Sequence, residues 1–263
     1  MTTDMKEANN DMALRSIELC AGYGGFTLGL RDYGVSTVAY VERDSYAASI
    51  LVARMEEKRL DQAPVWDDLC TFDGTAWRGR VDLITAGFPC QPFSTAGKQE
   101  GVDDDRWLWP DIAKIVADVG PSYVFLENVT GLIRAGLPHV LADLADLGFD
   151  AEWGVLSAAD VGAPHLRKRV WILAHADSEY VAVPEGHRAH AGLTRPGGCG
   201  FPSGPNVDDG PARYGPQPAV RRGPDGRPAG LADALHLGGN GLVPATAAEA
   251  FKQLLNRADI GPS

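Results

Sequence analysis

Apolar positions in this chain fall into short runs separated by glycine, proline and charged residues. The spacing within each run assigns an element. Residues 15–20 read as a strand, broken by the turn Ala21-Gly22-Tyr23-Gly24-Gly25 and followed by a helix over 26–33. Residues 37–41 are rich in strand formers (Val38, Tyr40, Val41). Asp44 or Ser45 can cap a helix that runs to about residue 58. Residues 81–85 predict a buried strand ending at a Gly-Phe-Pro-Cys loop, and 107–119 a helix that Pro121 stops. A strand follows over 123–126. Residues 138–147 place Val140, Leu141, Leu144 and Leu147 at helical spacing. Further strands are predicted over 152–156 and 169–173, and a helix over 244–255 with Pro244 in its first turn. Strands alternating with helices imply an α/β fold, a mostly parallel sheet with helices on both faces.

The pattern fails between about 177 and 230. Residues 184–230 carry eleven Gly and nine Pro, with few large apolar side chains. Such a stretch favours turns and could not bury much core alone. The expected organisation is a loose tail over 1–13, a folded unit built from 14–176 and 231–263, and a short Gly/Pro-rich lobe over 177–230. No internal repeat is visible.

Charge follows the same division. The 263 residues hold 24 Lys+Arg against 35 Asp+Glu, a net of −11. Residues 163–227 contain nine Lys/Arg and six Asp/Glu, or +3, which leaves −11 − 3 = −14 elsewhere. The overall acidity argues against nonspecific coating of nucleic acid, while the local sign suits a polyanion on the lobe. Absence of any apolar run of about eighteen residues argues against a membrane span. The polar start (Asp4, Lys6, Glu7, Asn9, Asn10, Asp11) argues against export and for a cytoplasmic location. Cys20, Cys70, Cys90 and Cys199 are too scattered for a disulfide scaffold, and no C-x-x-C pair suggests zinc.

Four constellations carry candidate chemistry. The turn Gly22-Tyr23-Gly24-Gly25 lets backbone approach a ligand closely, and Glu42, about twenty residues on at a strand end, is placed to accept from ribose hydroxyls. The pair suggests a nucleoside cofactor, although the spacing is not Gly-x-Gly-x-x-Gly and a plain strand–helix connector has the same form. Asp67-Asp68 could hold an exocyclic amine or simply cap a turn. Cys90, in Gly87-Phe88-Pro89-Cys90-Gln91-Pro92-Phe93-Ser94, sits at a strand end between stiffening prolines, which suits a nucleophile once ionised. A buried structural cysteine is the plainer alternative. Glu127, in Phe125-Leu126-Glu127-Asn128-Val129, ends another strand and would enter the same crevice as a proton donor. Alternation through Ala163–Trp171 would put His165, Arg167 and Arg169 on one strand face.

In combination these segments resemble the cytosine-5 DNA methyltransferase family, with five motifs in the family's order. Glu18-Leu19-Cys20-Ala21-Gly22-Tyr23-Gly24-Gly25-Phe26 resembles its cofactor motif and the Cys90 loop its nucleophile motif. Glu127-Asn128-Val129 resembles its glutamate motif, and His165 to Arg169 its Gln-x-Arg-x-Arg strand. Gly239-Asn240-Gly241-Leu242-Val243-Pro244 resembles its closing motif. The chain departs from the pattern at Cys20, where an aromatic residue is usual. It departs also at Arg43, where a large apolar residue often stands, at His165 in place of glutamine, and at Gly241 in place of Ser or Ala.

The resemblance implies a Rossmann-like catalytic domain with a small irregular target-recognition lobe, and S-adenosylmethionine as cofactor. It implies Cys90, Glu127, Arg167 and Arg169 as catalytic residues. It implies cofactor contacts at Cys20, Ala21, Gly22, Tyr23, Gly24, Gly25, Glu42, Arg43, Asp68, Gly87, Pro89 and Asn240. The implied partner is double-stranded DNA, contacted by lobe arginines such as Arg188, Arg195, Arg213, Arg221 and Arg222. The expected protein is a monomer that uses no metal and no membrane, in a prokaryotic or phage-infected cell. Two other readings share these residues: methylation of cytosine in transfer RNA, and a DNA-binding relic with a decayed lobe. Methylation of an exocyclic amine is disfavoured, because its Asp/Asn/Ser-Pro-Pro-aromatic loop is missing.

Overall fold

The computed structural model describes residues 14–89, 107–163, 165–176 and 241–259. The expected 1–13 tail, Cys90 with the rest of its loop, the 177–230 lobe with its arginines, and Asn240 lie outside the described residues.

Seven strands form one sheet: β1 (Leu14–Leu19), β2 (Val35–Val41), β3 (Val65–Trp66), β4 (Leu83–Gly87), β5 (Tyr123–Val129), β6 (Phe149–Ser157) and β7 (Lys168–Ala176). Their order is β3-β2-β1-β4-β5-β7-β6. The first five run parallel, and β7 inserts antiparallel between β5 and β6. The described helices are α1 (Gly25–Leu30), α2 (Ser45–Glu56), α3 (Trp109–Val119), α4 (Leu132–Ala135), α5 (Leu137–Asp146) and α6 (Pro244–Arg257).

Period-2 alternation splits the core between the two faces of the sheet. Ile84 and Ala86, Val124 and Leu126, and Val170, Ile172 and Ala174 pack on α3 and α5. Their neighbours Leu83, Phe125, Trp171 and Leu173 pack on α1 and α6. Helix ends follow local chemistry. Asp44 caps α2 by accepting from the Ala47 amide at 2.7 Å. Gly120, at φ 62°, closes α3 with its N–H on the Val116 carbonyl at 2.8 Å. The first helix is shorter than the expected 26–33, because residues 31–33 tighten into a 3₁₀ turn that Gly34 ends at φ 72°.

Register brings the candidate residues to one edge. Leu19 pairs with Val41 and with Ala86, and Gly87 pairs with Glu127. The loops after β1, β2, β4 and β5 therefore leave the same edge, with the topological switch between β1 and β4. Since β7 runs the other way, its start lies there too, with Arg169 opposite Val129. Among the described residues no helix is long and apolar enough to cross a membrane. Nor, among them, could any group of three or more His, Cys, Asp or Glu side chains hold a metal ion.

Candidate active site

The turn after β1 is built from left-handed backbone. Cys20, Gly22 and Gly24 have φ of 52°, 55° and 82°. A Cβ at Gly22 would meet nothing within 4 Å, so the glycine serves conformation and leaves open space over the turn. The Gly22 amide donates to Glu42 Oε2 at 2.7 Å, and the Asp44 amide donates to Oε1 at 2.7 Å. Glu42 thus ties the turn to the end of β2. Desolvation raises its pKa, against the pull of those two amides. Cys20 packs against the edge of the larger core, and desolvation pushes its thiol well above the usual range, so it acts as a small apolar wall. Cys20 is a free thiol. Arg43 is exposed. Asp68 is half-buried and caps the 3₁₀ turn Leu69–Thr71, its Oδ1 accepting from the Cys70 amide at 3.1 Å.

One strand further along, Gly87 lies beside Glu127. A Cβ there would stand 3.7 Å from Glu127 Oε2 and 3.6 Å from the Phe26 ring. Glu127 is buried, and its Oε1 pairs with Arg169 Nε at 2.9 Å. Burial raises its pKa, while the Arg169 and Arg167 guanidinium groups hold the rise back. Arg167 also acts on the Tyr23 hydroxyl, so its charge is felt at both the glycine turn and Glu127. The chain enters the Cys90 loop through Phe88, buried against Trp107 and Trp109 at ring distances of 5.8 and 6.2 Å, and half-buried Pro89. Cys90 and Asn240, expected as nucleophile and cofactor contact, lie outside the described residues.

One expectation is corrected. His165, Arg167 and Arg169 do not share a strand face, because β7 begins at Lys168. Its partner β6 ends at Ser157 and turns away through a 3₁₀ segment closed by a Ser157/Asp160 capping box, so the paired register stops at Lys168. Arg169 sits in the strand against Glu127, and Arg167 in the lead-in, its carbonyl accepting from the Ala158 amide at 3.1 Å.

Residues 14–194 match the family described as C-5 cytosine-specific DNA methylase, more than half of the chain. The chain belongs to that family. It is 38% identical over 167 residues to the Type II methyltransferase M.NgoMIV of Neisseria gonorrhoeae, covering 62% of this chain and 52% of that protein. It is 39% identical over 166 residues to the Type II methyltransferase M.NaeI of Lentzea aerocolonigenes, covering 62% and 40%. The chain thus spans about half or less of the length of these relatives. In fold it is similar to the Entamoeba histolytica methyltransferase EhMeth, with TM-score 0.53, 16% identity, and 62% and 53% of the two chains covered. It is similar also to a DNMT2 mutant of Spodoptera frugiperda, with TM-score 0.50, 22% identity, and 67% and 53% covered.

Three residues that brace this sheet edge carry no role in the motifs quoted above. Glu18, 1% exposed at the end of β1, accepts from the Phe26 and Thr27 amides at 3.0 Å each and from the Thr27 hydroxyl at 2.6 Å. It holds the start of α1 from beneath. Buried Asn128 donates from Nδ2 to the Phe88 carbonyl at 3.2 Å and accepts from the Val129 amide at 2.8 Å, which pins the entrance of the Cys90 loop to β5. Arg54 of α2 donates to the Tyr23 carbonyl at 2.6 Å and lies 5.0 Å from the centre of its ring. Glu18 and Asn128 carried a legible signal, a polar residue inside an apolar strand end. Arg54 carried none, since basic residues are ordinary on exposed helix faces.

Proposed function

We propose that this chain is the catalytic unit of a DNA cytosine-5 methyltransferase. The observation that carries the reading is Glu127, buried and paired to Arg169, beside Gly87 and two strands from the Glu42-anchored glycine turn. The open space over Gly22 and the paired carboxylate of Glu42 fit a nucleoside whose ribose hydroxyls need an acceptor. Gly22, Gly24, Gly25 and Glu42 would hold S-adenosylmethionine, with Asp68 toward its adenine and Asn240 closing the pocket. When bound, that cofactor supplies an electrophilic methyl group.

The protein's own residues prepare the base. Carbon 5 of cytosine is a weak nucleophile. The Cys90 thiolate adds to C6 and shifts an electron pair onto the ring, activating C5. Glu127 hydrogen-bonds N3 and the 4-amino group where the ring gains charge, with burial raising its pKa and Arg169 and Arg167 holding that rise back. Arg169 fixes the Glu127 carboxyl, and Arg167 steadies the base. Loss of the C5 proton then expels Cys90. The target cannot be reached inside a duplex, so it must flip out, at a cost of roughly a few kcal/mol. The relatives are named Type II methyltransferases, which supports methyl transfer as the reaction.

The test is tritiated methyl transfer to duplex DNA and to transfer RNA, wild type beside Cys90→Ser. An oligonucleotide carrying 5-fluorocytosine should leave a covalent adduct at Cys90. Equal incorporation by both proteins would remove the mechanism, incorporation into transfer RNA alone would move the substrate, and none by either would favour the relic.

A further inference from the structure

The segment Gly241-Leu242-Val243 returns from far along the chain and lies directly on the glycine turn. A Cβ at Gly25 would stand 2.9 Å from Leu242 Cβ and 3.1 Å from its carbonyl oxygen. At Gly241 a Cβ would overlap the phenol oxygen and ring of Tyr23. Tyr23 cannot yield easily, because Arg54 holds its carbonyl at 2.6 Å and covers its ring at 5.0 Å. The large residue in the turn and the missing side chain in the returning segment are complementary halves of one contact.

We propose that Tyr23 and Gly241, braced by Arg54, form a lock that seats the returning segment on the cofactor turn. Tyr23 is thus a positioning residue whose ring faces protein, and cofactor affinity depends on the fit. The inference rests on the cofactor reading above. A side chain at position 241 requires a smaller neighbour than Tyr23.

The experiment compares wild type, Gly241→Ser, Tyr23→Ala and the double variant by calorimetric titration with S-adenosylmethionine, with steady-state kinetics alongside. Overpacking against a braced ring should weaken cofactor binding by about tenfold or more in Gly241→Ser. The loss should fall on KM for the cofactor rather than kcat. In the Tyr23→Ala background the same serine should change affinity by less than about twofold, since non-additivity marks a direct contact. An equal loss in both backgrounds, or none in either, overturns the lock. Should Gly241→Ser fail to fold, Arg54→Met removes the brace without a clash and should weaken the cofactor several-fold; unchanged affinity overturns the proposal. If wild type binds no S-adenosylmethionine, the cofactor reading fails by itself. Amide exchange of Gly241 and Leu242 in the ligand-free proteins then reads the lock: faster in Gly241→Ser and restored in the double variant, or, if unchanged, refuted.

Discussion

Glu18 shows how a single buried carboxyl can be both a support and a titrating group. Three donors favour its charged form, yet burial outweighs them and lifts its pKa from 4.5 to about 7, with Glu42 adding to the rise. The folded value lies above the unfolded one, so the native protein holds a proton that the unfolded chain has released between these values. The stabilisation is fully present below about pH 4.5 and is lost as pH climbs through about 7. It amounts to about 3 kcal/mol as an upper figure. Glu18→Gln cannot titrate and should flatten that part of the stability-versus-pH curve, followed by urea unfolding at several pH values; an undiminished slope would assign it to Glu42 and Glu127, which shift the same way. At Glu127 the expectation concerns turnover. Glu127→Gln should lower kcat about a hundredfold or more while cofactor affinity stays near normal. A large loss of S-adenosylmethionine binding would count against the placement of Glu127 at the base.

At the scale of elements, the decisive contact joins α1 and the 3₁₀ turn that follows it to α6. Tyr33 donates its hydroxyl to the Ala248 carbonyl at 3.1 Å, and Phe251 packs on Tyr33 and Phe125 at 5.4 and 5.1 Å. The helices approach so closely that a Cβ at Gly29 would stand 2.5 Å from the Pro244 carbonyl oxygen. Backbone cannot move aside as a side chain end can. Gly29→Ala should therefore cost about 1–3 kcal/mol despite its better helix propensity, read from the denaturation midpoint. Asp44→Ala removes the acceptor of the Ala47 amide and should cost about 1 kcal/mol at the start of α2. The second site was legible, because a cap is a local signal. The first was not, because nothing near Gly29 in sequence announces Pro244.

For the whole molecule, charge sets the expected behaviour toward DNA. A net of −11 would repel a polyanion, so under the proposed function the attraction for duplex DNA rests on the +3 of residues 163–227, which includes exposed Lys168. Affinity for duplex DNA should fall by about tenfold or more between about 50 and 200 mM salt, as release of counterions requires. A flat response in a salt-titrated binding assay would argue against phosphate contacts by the lobe. The arrangement also makes the site composite. The glycine turn comes from the first strand, Glu127 from the fifth, Arg169 from the seventh and the lock from residues 241–243.

Local pattern was enough for most of the elements, though not for the two-residue β3 or the single-turn α4. Short apolar runs marked β4, β5 and β7, helical spacing marked α5, and Asp44 marked the start of α2, because each depends on neighbours within a few residues. Motif order was enough to bring Glu42, Gly87 and Glu127 to one sheet edge, since parallel strands must end together. Only the tertiary structure decided that β7 enters antiparallel and lays Arg169 on Glu127, that Arg167 falls short of the strand, and that Gly241 lies against Tyr23. Those contacts join residues far apart along the chain, and packing between them, rather than any local preference, chooses their geometry.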